Sequence, residues 1–283
     1  MKYLITGKNG QLARAFIRRF EKESADFTAP EESQCDITNL NAIMDMVGSH
    51  RPDVIINGAA YNLVDKAEQE REKACSVNAT GPKHLAHAAN KYKAFLVHFG
   101  TDYVFDGLKE NGLYTEDDGP RPLNAYGKSK LSGEKLVQEE AERFLIFRLS
   151  WVFGEGKQNF IHKLMEWSKK NDYLKIACDE FSVPTYTNTI VDITMKALER
   201  DLKGLYHLTN KGFCSRYEWA KMILSTRGMN TFIRPVSLDT FNLPAQRPKF
   251  SAMSSERIAG ILDVDIPTWE EAVRSFLSGR EFI

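Results

Sequence analysis

A tyrosine and a lysine four residues apart, Tyr126 and Lys130, are the side chains of this sequence best suited to proton transfer. They lie in "NAYGKSKLSGEKL", which has helical periodicity, and residues at positions i and i+4 share one face of a helix. A lysine ammonium beside a phenol stabilises the phenolate and lowers the tyrosine pKa from about 10. The pair predicts a general acid or base that works near neutral pH, although the same spacing also arises by chance.

Polar residues at the ends of two predicted strands add to this site. The apolar run "AFLVHFG" ends at Gly100 and continues as Thr101 and Asp102, while "NGAAY" follows an earlier apolar run. The carboxyl ends of parallel strands meet at one edge of a sheet, where ligands of α/β proteins bind. We therefore expect these residues to lie with Tyr126 and Lys130 in one active site.

A glycine loop follows the first predicted strand and opens a helix. In "LITGKNGQLARAF", Gly7 and Gly10 permit a tight turn and close approach to a pyrophosphate, and Ala13 still allows close helix packing. The helix N-terminus adds unpaired N–H groups and the positive end of the helix dipole. The loop predicts a dinucleotide site, although such turns also occur for purely structural reasons.

Charged residues near the second predicted strand leave the choice of dinucleotide open. Glu31 and Glu32 stand where an acid would bind a ribose hydroxyl of NADH, whereas Lys8 and Arg14 could hold the 2′-phosphate of NADPH. Asp36 is a separate polar candidate on the adenine side. Charges of this kind are equally typical of solvated loops.

Short apolar runs alternate with amphipathic segments through the first half of the chain, which predicts an α/β, Rossmann-type doubly wound parallel sheet. Strands are predicted at 2–6, 52–58, 94–100 and 143–150, with a weaker strand in "ADFTA". Helices are predicted at 11–23, 39–49, 80–92 and 125–140.

After residue 150 the alternation loosens, and a smaller C-terminal substrate-binding lobe is expected over the strand ends. The dinucleotide-binding domain is predicted to span 1–150, with 184–210 returning to it, and the lobe to comprise 151–183 and 211–283. The further elements predicted here are helices at 160–169, 190–200 and 269–277, a strand in "GLYHLTN" and a loop in "DEFSVPTYT".

The bulk composition excludes several classes of protein. The 283 residues carry 38 basic and 38 acidic side chains, and this zero net charge argues against a nucleic-acid partner. No apolar stretch approaches the roughly 20 residues that cross a bilayer, and Met1 leads into a strand-like run rather than a secretory leader. The four cysteines form no CxxC pair, which fits reduced thiols. A cytoplasmic protein without a membrane partner is expected.

Together these motifs resemble the extended short-chain dehydrogenase/reductase superfamily and, within it, the dTDP-4-dehydrorhamnose reductase family. The resemblance rests on "GTDYVFDG" and "YGKSKLSGE" and extends over nearly the whole chain through "INGAAYNLVDKAE", "VNATGPKHLA", "RLSWVFGEG", "VPTYT" and "RPKFS". It implies reduction, by NADPH or NADH, of a nucleotide-linked 4-keto-6-deoxyhexose such as dTDP-4-dehydro-L-rhamnose, giving dTDP-L-rhamnose.

The resemblance also implies roles for individual residues. Tyr126 would give a proton to the substrate ketone, Lys130 would tune Tyr126 and bind the nicotinamide ribose, and Thr101 would bind the carbonyl oxygen. The cofactor pyrophosphate would be lined by Gly7, Gly10, Gln11 and Leu12, its adenosine side by Asp36 and Ile37, and its remainder by Ala59, Ala60 and Tyr61. In the substrate site Asp102 would contact the sugar, Trp151 would pack on the hexose, and Asn159 and Arg247 would face the nucleotide diphosphate.

The chain departs from the family pattern at three places. Gly100 replaces a serine, and "EFSVPT" stands where relatives often have Gln-x-Gly before Pro-Thr. Relatives that use magnesium carry a carboxylate soon after this motif, but here no acid precedes Asp192, so no metal is expected. The same missing carboxylates leave both a monomer and a homodimer open.

Similar sequences serve two other functions. Sugar dehydratases and epimerases belong to the same superfamily, and the dehydratases place Asp-Glu after the threonine, whereas Tyr103 follows Asp102 here and the elimination base is missing. The regulatory subunit of methionine adenosyltransferase binds NADP without catalysis and keeps the tyrosine–lysine pair, but it loses the tryptophan present here as Trp151. Structural alternatives remain for two residues, since Trp151 could pack in the core and Arg247 could cap a loop carbonyl.

Overall fold

The computed structural model describes residues 1–279; the last four residues of the predicted lobe, 280–283, lie outside the described part. Its strands are β1 (Lys2–Thr6), β2 (Asp26–Thr28), β3 (Val54–Asn57), β4 (Phe95–Thr101), β5 (Phe144–Leu149), β6 (Val152–Phe153), β7 (Tyr173–Ala177), β8 (Phe181–Ser182), β9 (Thr185–Tyr186), β10 (Gly204–His207), β11 (Cys214–Ser215) and β12 (Phe232–Val236). Its α-helices are α1 (Gln11–Glu23), α2 (Leu40–His50), α3 (Val64–Ala67), α4 (Arg71–Cys75), α5 (Gly81–Tyr92), α6 (Ala125–Glu140), α7 (Phe160–Lys170), α8 (Thr187–Glu199), α9 (Arg216–Thr226), α10 (Glu256–Leu262) and α11 (Trp269–Ser278).

Six parallel strands form the central sheet in the order β10-β5-β4-β3-β1-β2. Connections run outward in both directions from the β1–β3 pair, so the order reverses there and a crevice opens at the carboxyl ends of these strands. This arrangement confirms the predicted doubly wound α/β fold. The strand after α8 adds to the sheet beside β5, where Gly204 pairs with Leu145.

Helices cover both faces of the sheet, which explains why its strands are apolar along their whole length. On one face α1 and α8 bury Phe16, Phe20 and Ile190 against the strands. On the other face α2, α5 and α6 enclose a second core that includes Ile43, Leu85 and other aliphatic residues. All seven residues of β4 are buried, so the polar Thr101 at its end is held in a rigid frame.

The lobe has its own aromatic core, which includes Trp151, Phe153, Trp219 and Phe276. It also contains three two-stranded sheets, β6-β9, β8-β11 and β12-β7. The predicted loop at "DEFSVPTYT" therefore needs correction, because it carries β8 and β9, and the next helix begins at Thr187 rather than near 190. Both strands pair with segments remote in sequence, so the local pattern carried no sign of them.

None of the helices within residues 1–279 is long and apolar enough to cross a bilayer.

Candidate active site

Two adjoining clefts open at the carboxyl ends of the central strands and share the wall formed by Gly58, Ala59 and Ala60. The first, which we call the reaction cleft, is lined among others by Gln11, Leu12, Thr101, Asp102, Tyr126, Lys130 and Trp151. The second, which we call the adenosine cleft, is lined among others by Gly7, Asp36, Ile37 and Tyr61, and Gly10 borders both clefts. Most of the predicted site residues therefore surround one continuous channel.

The glycine loop has a geometry that fits a dinucleotide pyrophosphate. Gly7 has a φ of +69°, and a β-carbon there would lie 2.5 Å from the Ala59 nitrogen, so only glycine fits. Gly10 caps α1 in an extended conformation; no described side chain caps this end, and its first turn holds no acid. The N–H groups of the first turn are therefore available to an anion at the junction of the two clefts.

Two of the charged candidates on the adenosine side, Lys8 and Glu31, are paired with each other. Lys8 Nζ lies 2.9 Å from Glu31 Oε1, while Glu32 lines the adenosine cleft. Asp36 Oδ1 accepts hydrogen bonds from the backbone nitrogen and the hydroxyl of Thr38, both at 2.8 Å, which holds the turn after β2. The adenosine cleft is thus lined by two lysines, Lys8 and Lys73, and by two acids, Glu32 and Asp36, so charge alone favours neither dinucleotide.

Asn78 is a functional candidate that the sequence reasoning missed. It lies in a π-helical turn, Ser76–Thr80, between α4 and α5, a feature often found near functional sites. Its side chain accepts a hydrogen bond from the Tyr61 nitrogen at 2.8 Å and donates to the Tyr61 carbonyl and to Ser129 Oγ, both at 3.0 Å. Asn78 thereby links Tyr61, which lines the adenosine cleft, to Ser129 of α6.

Tyr126 and Lys130 lie on the buried face of α6, which begins where the Asn124 side chain accepts a hydrogen bond from the Gly127 nitrogen at 2.8 Å. The Lys130 ammonium donates to the Phe99 carbonyl at 2.5 Å, and the Tyr126 hydroxyl donates to Asn62 Oδ1 at 3.4 Å. The helix spacing therefore places both side chains in the reaction cleft, as the sequence predicted.

The pKa of Tyr126 differs from the expected direction. Burial raises the pKa of Tyr126 to about 12, and a hydrogen bond with Thr101 offsets this only in part. Burial also lowers the pKa of Lys130 to about 8, against the raising effect of the Glu134 carboxylate. The expectation of a lowered tyrosine pKa was wrong for this protein because the sequence did not show how deeply the phenol is buried.

Asp102 is held by hydroxyl groups from three distant parts of the chain. Its Oδ2 accepts hydrogen bonds from Ser251 at 2.6 Å, Ser182 at 2.8 Å and Ser150 at 3.2 Å. Burial raises the pKa of Asp102, and these hydroxyls lower it. Asp102 borders the reaction cleft but is only 3% exposed. Its Oδ2 is occupied by hydrogen bonds from within the protein.

A buried ion pair lies beneath Lys130 and was not predicted. Glu134, one helical turn further along α6, is fully buried, and its Oε2 accepts from Arg148 Nε and Nη2 of β5 at 3.0 and 2.9 Å. Gly100 lies against this carboxylate, and a β-carbon there would collide with Glu134 Oε1. Gly100 therefore leaves room for Glu134.

Trp151 lines the reaction cleft in a strained backbone conformation, with a φ of +39°. The Arg216 guanidinium lies 3.6 Å from the centroid of the Trp151 ring, and the Trp219 ring lies parallel to it at 5.6 Å. The indole Nε1 is buried and has no hydrogen-bond partner among residues 1–279. Trp151 is thus both part of the lobe core and a wall of the cleft.

The two residues predicted to face a diphosphate are engaged elsewhere. Asn159 caps α7 by accepting from the His162 nitrogen at 3.0 Å, and it also donates to the Gly154 carbonyl at 2.7 Å. Arg247 forms two hydrogen bonds with Asp65, at 2.8 and 3.0 Å, and lines a separate groove.

The chain is similar to known proteins over nearly its whole length. Residues 1–281 match the family model described as RmlD substrate binding domain. A spore coat polysaccharide biosynthesis protein, SpsK, of Bacillus subtilis is 33% identical over 99% of this chain and 98% of its own. A dTDP-4-dehydrorhamnose reductase of Aggregatibacter actinomycetemcomitans is 34% identical over 99% of each. The crystal structure of dTDP-4-dehydrorhamnose reductase from Bacillus anthracis, in complex with NADP, matches with a TM-score of 0.94 and 35% identity over 98% of this chain and 99% of its own.

Proposed function

Because the chain belongs to the dTDP-4-dehydrorhamnose reductase family of NAD(P)H-dependent sugar-nucleotide reductases, we propose that it reduces dTDP-4-dehydro-L-rhamnose to dTDP-L-rhamnose. The single observation that carries the proposal is the convergence of Thr101, Tyr126 and Lys130 in a cleft that continues into the glycine loop. This arrangement allows a hydride donor and a ketone to meet beside a phenol.

A reduced nicotinamide bound in the channel would supply the hydride for C4 of the sugar. Tyr126 gives its phenolic proton to the ketone oxygen, so the carbonyl becomes an alcohol and a tyrosinate remains. The high pKa of the buried phenol keeps this proton in place near neutral pH until charge develops on the oxygen. The Thr101 hydroxyl, which donates to Asp102 Oδ1 at 3.2 Å, turns to donate to the same oxygen and orients it toward Tyr126.

Lys130 has an electrostatic role in this scheme. Its ammonium stabilises the tyrosinate left by proton transfer, and it binds the nicotinamide ribose. With a pKa of about 8, the amine carries its charge at neutral pH and loses it in mild alkali. The carbonyl of Phe99, 2.5 Å away, fixes its position at the floor of the cleft.

The remaining assignments extend the channel at both ends. Gly7, Gly10, Gln11 and Leu12 hold the pyrophosphate, Asp36 and Ile37 hold the adenosine, and Ala59, Ala60 and Tyr61 line the rest of the cofactor. Asp102 and Trp151 face the sugar. Arg247 reaches the diphosphate only if its ion pair with Asp65 breaks. Asn159 contributes to diphosphate binding through the N-terminus of α7, which it caps.

A direct assay tests the proposed function. The purified protein is incubated with dTDP-4-dehydro-L-rhamnose and either NADPH or NADH, while the nicotinamide absorbance is followed and the sugar product is identified. We expect loss of absorbance that depends on the sugar nucleotide, with one dTDP-L-rhamnose formed for each cofactor oxidised. Binding of NADPH without oxidation by any 4-keto sugar would contradict the proposal and favour a non-catalytic binding subunit.

A further inference from the structure

Glu180 lies in the segment "EFSVPT", where the chain departs from the family pattern. Its side chain is 6% exposed and has partners on both oxygens. Oε1 accepts a hydrogen bond from the Tyr103 hydroxyl at 3.3 Å, and Oε2 accepts one from Arg216 Nε at 3.1 Å. One buried carboxylate therefore connects two residues from different parts of the fold.

Each of these partners contacts a wall of the reaction cleft. The Tyr103 ring packs edge-on against Tyr126, with 5.8 Å between the ring centroids. The Arg216 guanidinium lies 3.6 Å from the centroid of Trp151 and 5.3 Å from that of Phe160. The contacts thus run from the phenol of Tyr126 through Tyr103, Glu180 and Arg216 to the indole of Trp151.

Trp151 depends on such support more than an ordinary core residue does. Its left-handed backbone is unfavourable for a bulky side chain and persists only where surrounding contacts hold it. A cation over an indole face supplies that hold, and it is strongest when the cation is itself fixed and partly desolvated. Glu180 fixes Arg216, whose side chain is only 21% exposed.

We propose that Glu180 and Arg216 are positioning residues that set the width of the sugar subsite between Tyr126 and Trp151. The inference rests on the proposed function, because the sugar is the ligand whose binding it concerns. Neither residue touches the adenosine cleft, so their loss changes binding of the sugar nucleotide and leaves binding of the dinucleotide intact.

Two substitutions test the inference in the sugar-dependent assay. Arg216→Met keeps the length of the side chain and removes the cation, and we expect the KM for the sugar nucleotide to rise about tenfold. Glu180→Gln keeps an acceptor for Tyr103 but removes the charge that holds Arg216, and a rise of about threefold is expected. The KM for NADPH should stay within about twofold of the wild-type value in both variants.

Arg143→Met is the matched control. Arg143 also lies over an aromatic ring, 5.4 Å from the centroid of Phe95, and pairs with a carboxylate, Asp201, at 2.9 Å, but it is half-exposed and remote from the cleft. The KM values of Arg143→Met for the sugar nucleotide and for NADPH should both match those of the wild type.

The outcomes separate this inference from the proposed function. A wild-type protein that reduces no 4-keto sugar overturns both. An active wild type with a folded Arg216→Met variant of unchanged sugar KM overturns the positioning role alone, as does an equal rise in both KM values. If Arg216→Met fails to fold, Glu180→Gln decides the question by the same two constants.

Discussion

The two sides of the reaction cleft are built in different ways. On the α6 side, Tyr126, Lys130 and Glu134 succeed one another at intervals of one helical turn, and Arg148 of the neighbouring strand neutralises the last of them. On the lobe side, the wall around Trp151 is assembled from residues of remote segments that meet only in the folded protein. The first side is held by helix geometry and buried charge, and the second by contacts between separate elements.

The ion pairs on the two sides also differ in their exposure to solvent. The Glu134–Arg148 pair is 0% and 6% exposed, so breaking it leaves an uncompensated charge inside the sheet. In the Glu180–Arg216 pair the carboxylate is also buried, at 6% exposure, but the arginine is 21% exposed, so water can solvate the arginine when its partner is removed. We therefore expect substitutions on the α6 side to change mainly stability and turnover, and substitutions on the lobe side to change mainly sugar binding.

The largest expected effect comes from Arg148→Met. The variant should lose about 3–5 kcal/mol of unfolding free energy at neutral pH, because the Glu134 carboxylate stays buried without its cation. Burial already raises the pKa of Glu134, so the loss should shrink in acid, where this carboxyl group takes up a proton. Urea unfolding at two pH values measures both effects.

An exposed ion pair next to the same strand, formed by Arg143 immediately before β5, provides the control. Arg143→Met removes a surface ion pair with Asp201 and should cost at most about 1 kcal/mol. Equal costs for the two variants would mean that Glu134 readily finds another partner, and the contrast between the two sides would then disappear.

Tyr126→Phe should have the next largest effect, on turnover rather than on folding. Loss of the proton donor should lower kcat about 10²-fold or more, because no other side chain takes its place at the ketone oxygen. NADPH binding, followed by fluorescence, should be largely retained. Near-normal turnover would exclude Tyr126 as the proton donor.

The Tyr126–Lys130 part of the α6 side was predictable from the sequence, whereas its buried Glu134–Arg148 pair was not. The bounds of β1, α1 and α6 were predicted as the structure has them, because β1 is a short apolar run that stops before Gly7, and Gly10 and Asn124 stand immediately before the first residues of α1 and α6. A helix then fixes the relation of Tyr126 to Lys130 without further information.

The lobe side could not be predicted in the same way. The hydroxyls on Asp102 come from Ser150, Ser182 and Ser251, and Glu180 meets Tyr103 across 77 positions of the chain. No local pattern records such contacts. The pKa error for Tyr126 has the same origin, since its burial depends on packing with Tyr103, Tyr61 and other residues remote in sequence.

Glu134→Gln sharpens the comparison through the pH profile of kcat/KM. Activity should fall as pH rises through the Lys130 pKa of about 8, because the neutral amine no longer stabilises the tyrosinate. The Glu134 charge raises that pKa, so its removal should move the alkaline limb to lower pH. Glu139→Gln, at an exposed position of the same helix, should leave the limb in place. A limb that moves upward, or stays where it is in Glu134→Gln, would contradict this electrostatic role.

Ser182→Ala should have the smallest effect. It tests whether losing one partner of Asp102 on the lobe side costs as much unfolding free energy as losing the partner of Glu134 on the α6 side. Ser182 is fully buried and donates to Asp102 Oδ2 at 2.8 Å, but the carboxylate keeps Ser150 and Ser251 as donors. Loss of one of several donors should cost about 1 kcal/mol of unfolding free energy, measured in urea, while the exposed Ser132→Ala should cost less. Because the remaining hydroxyls hold Asp102 in place, kcat should change by less than about threefold. A cost near that of Arg148→Met would show that Asp102 is as intolerant of a lost partner as Glu134, and the lobe side would then also be held by buried charge.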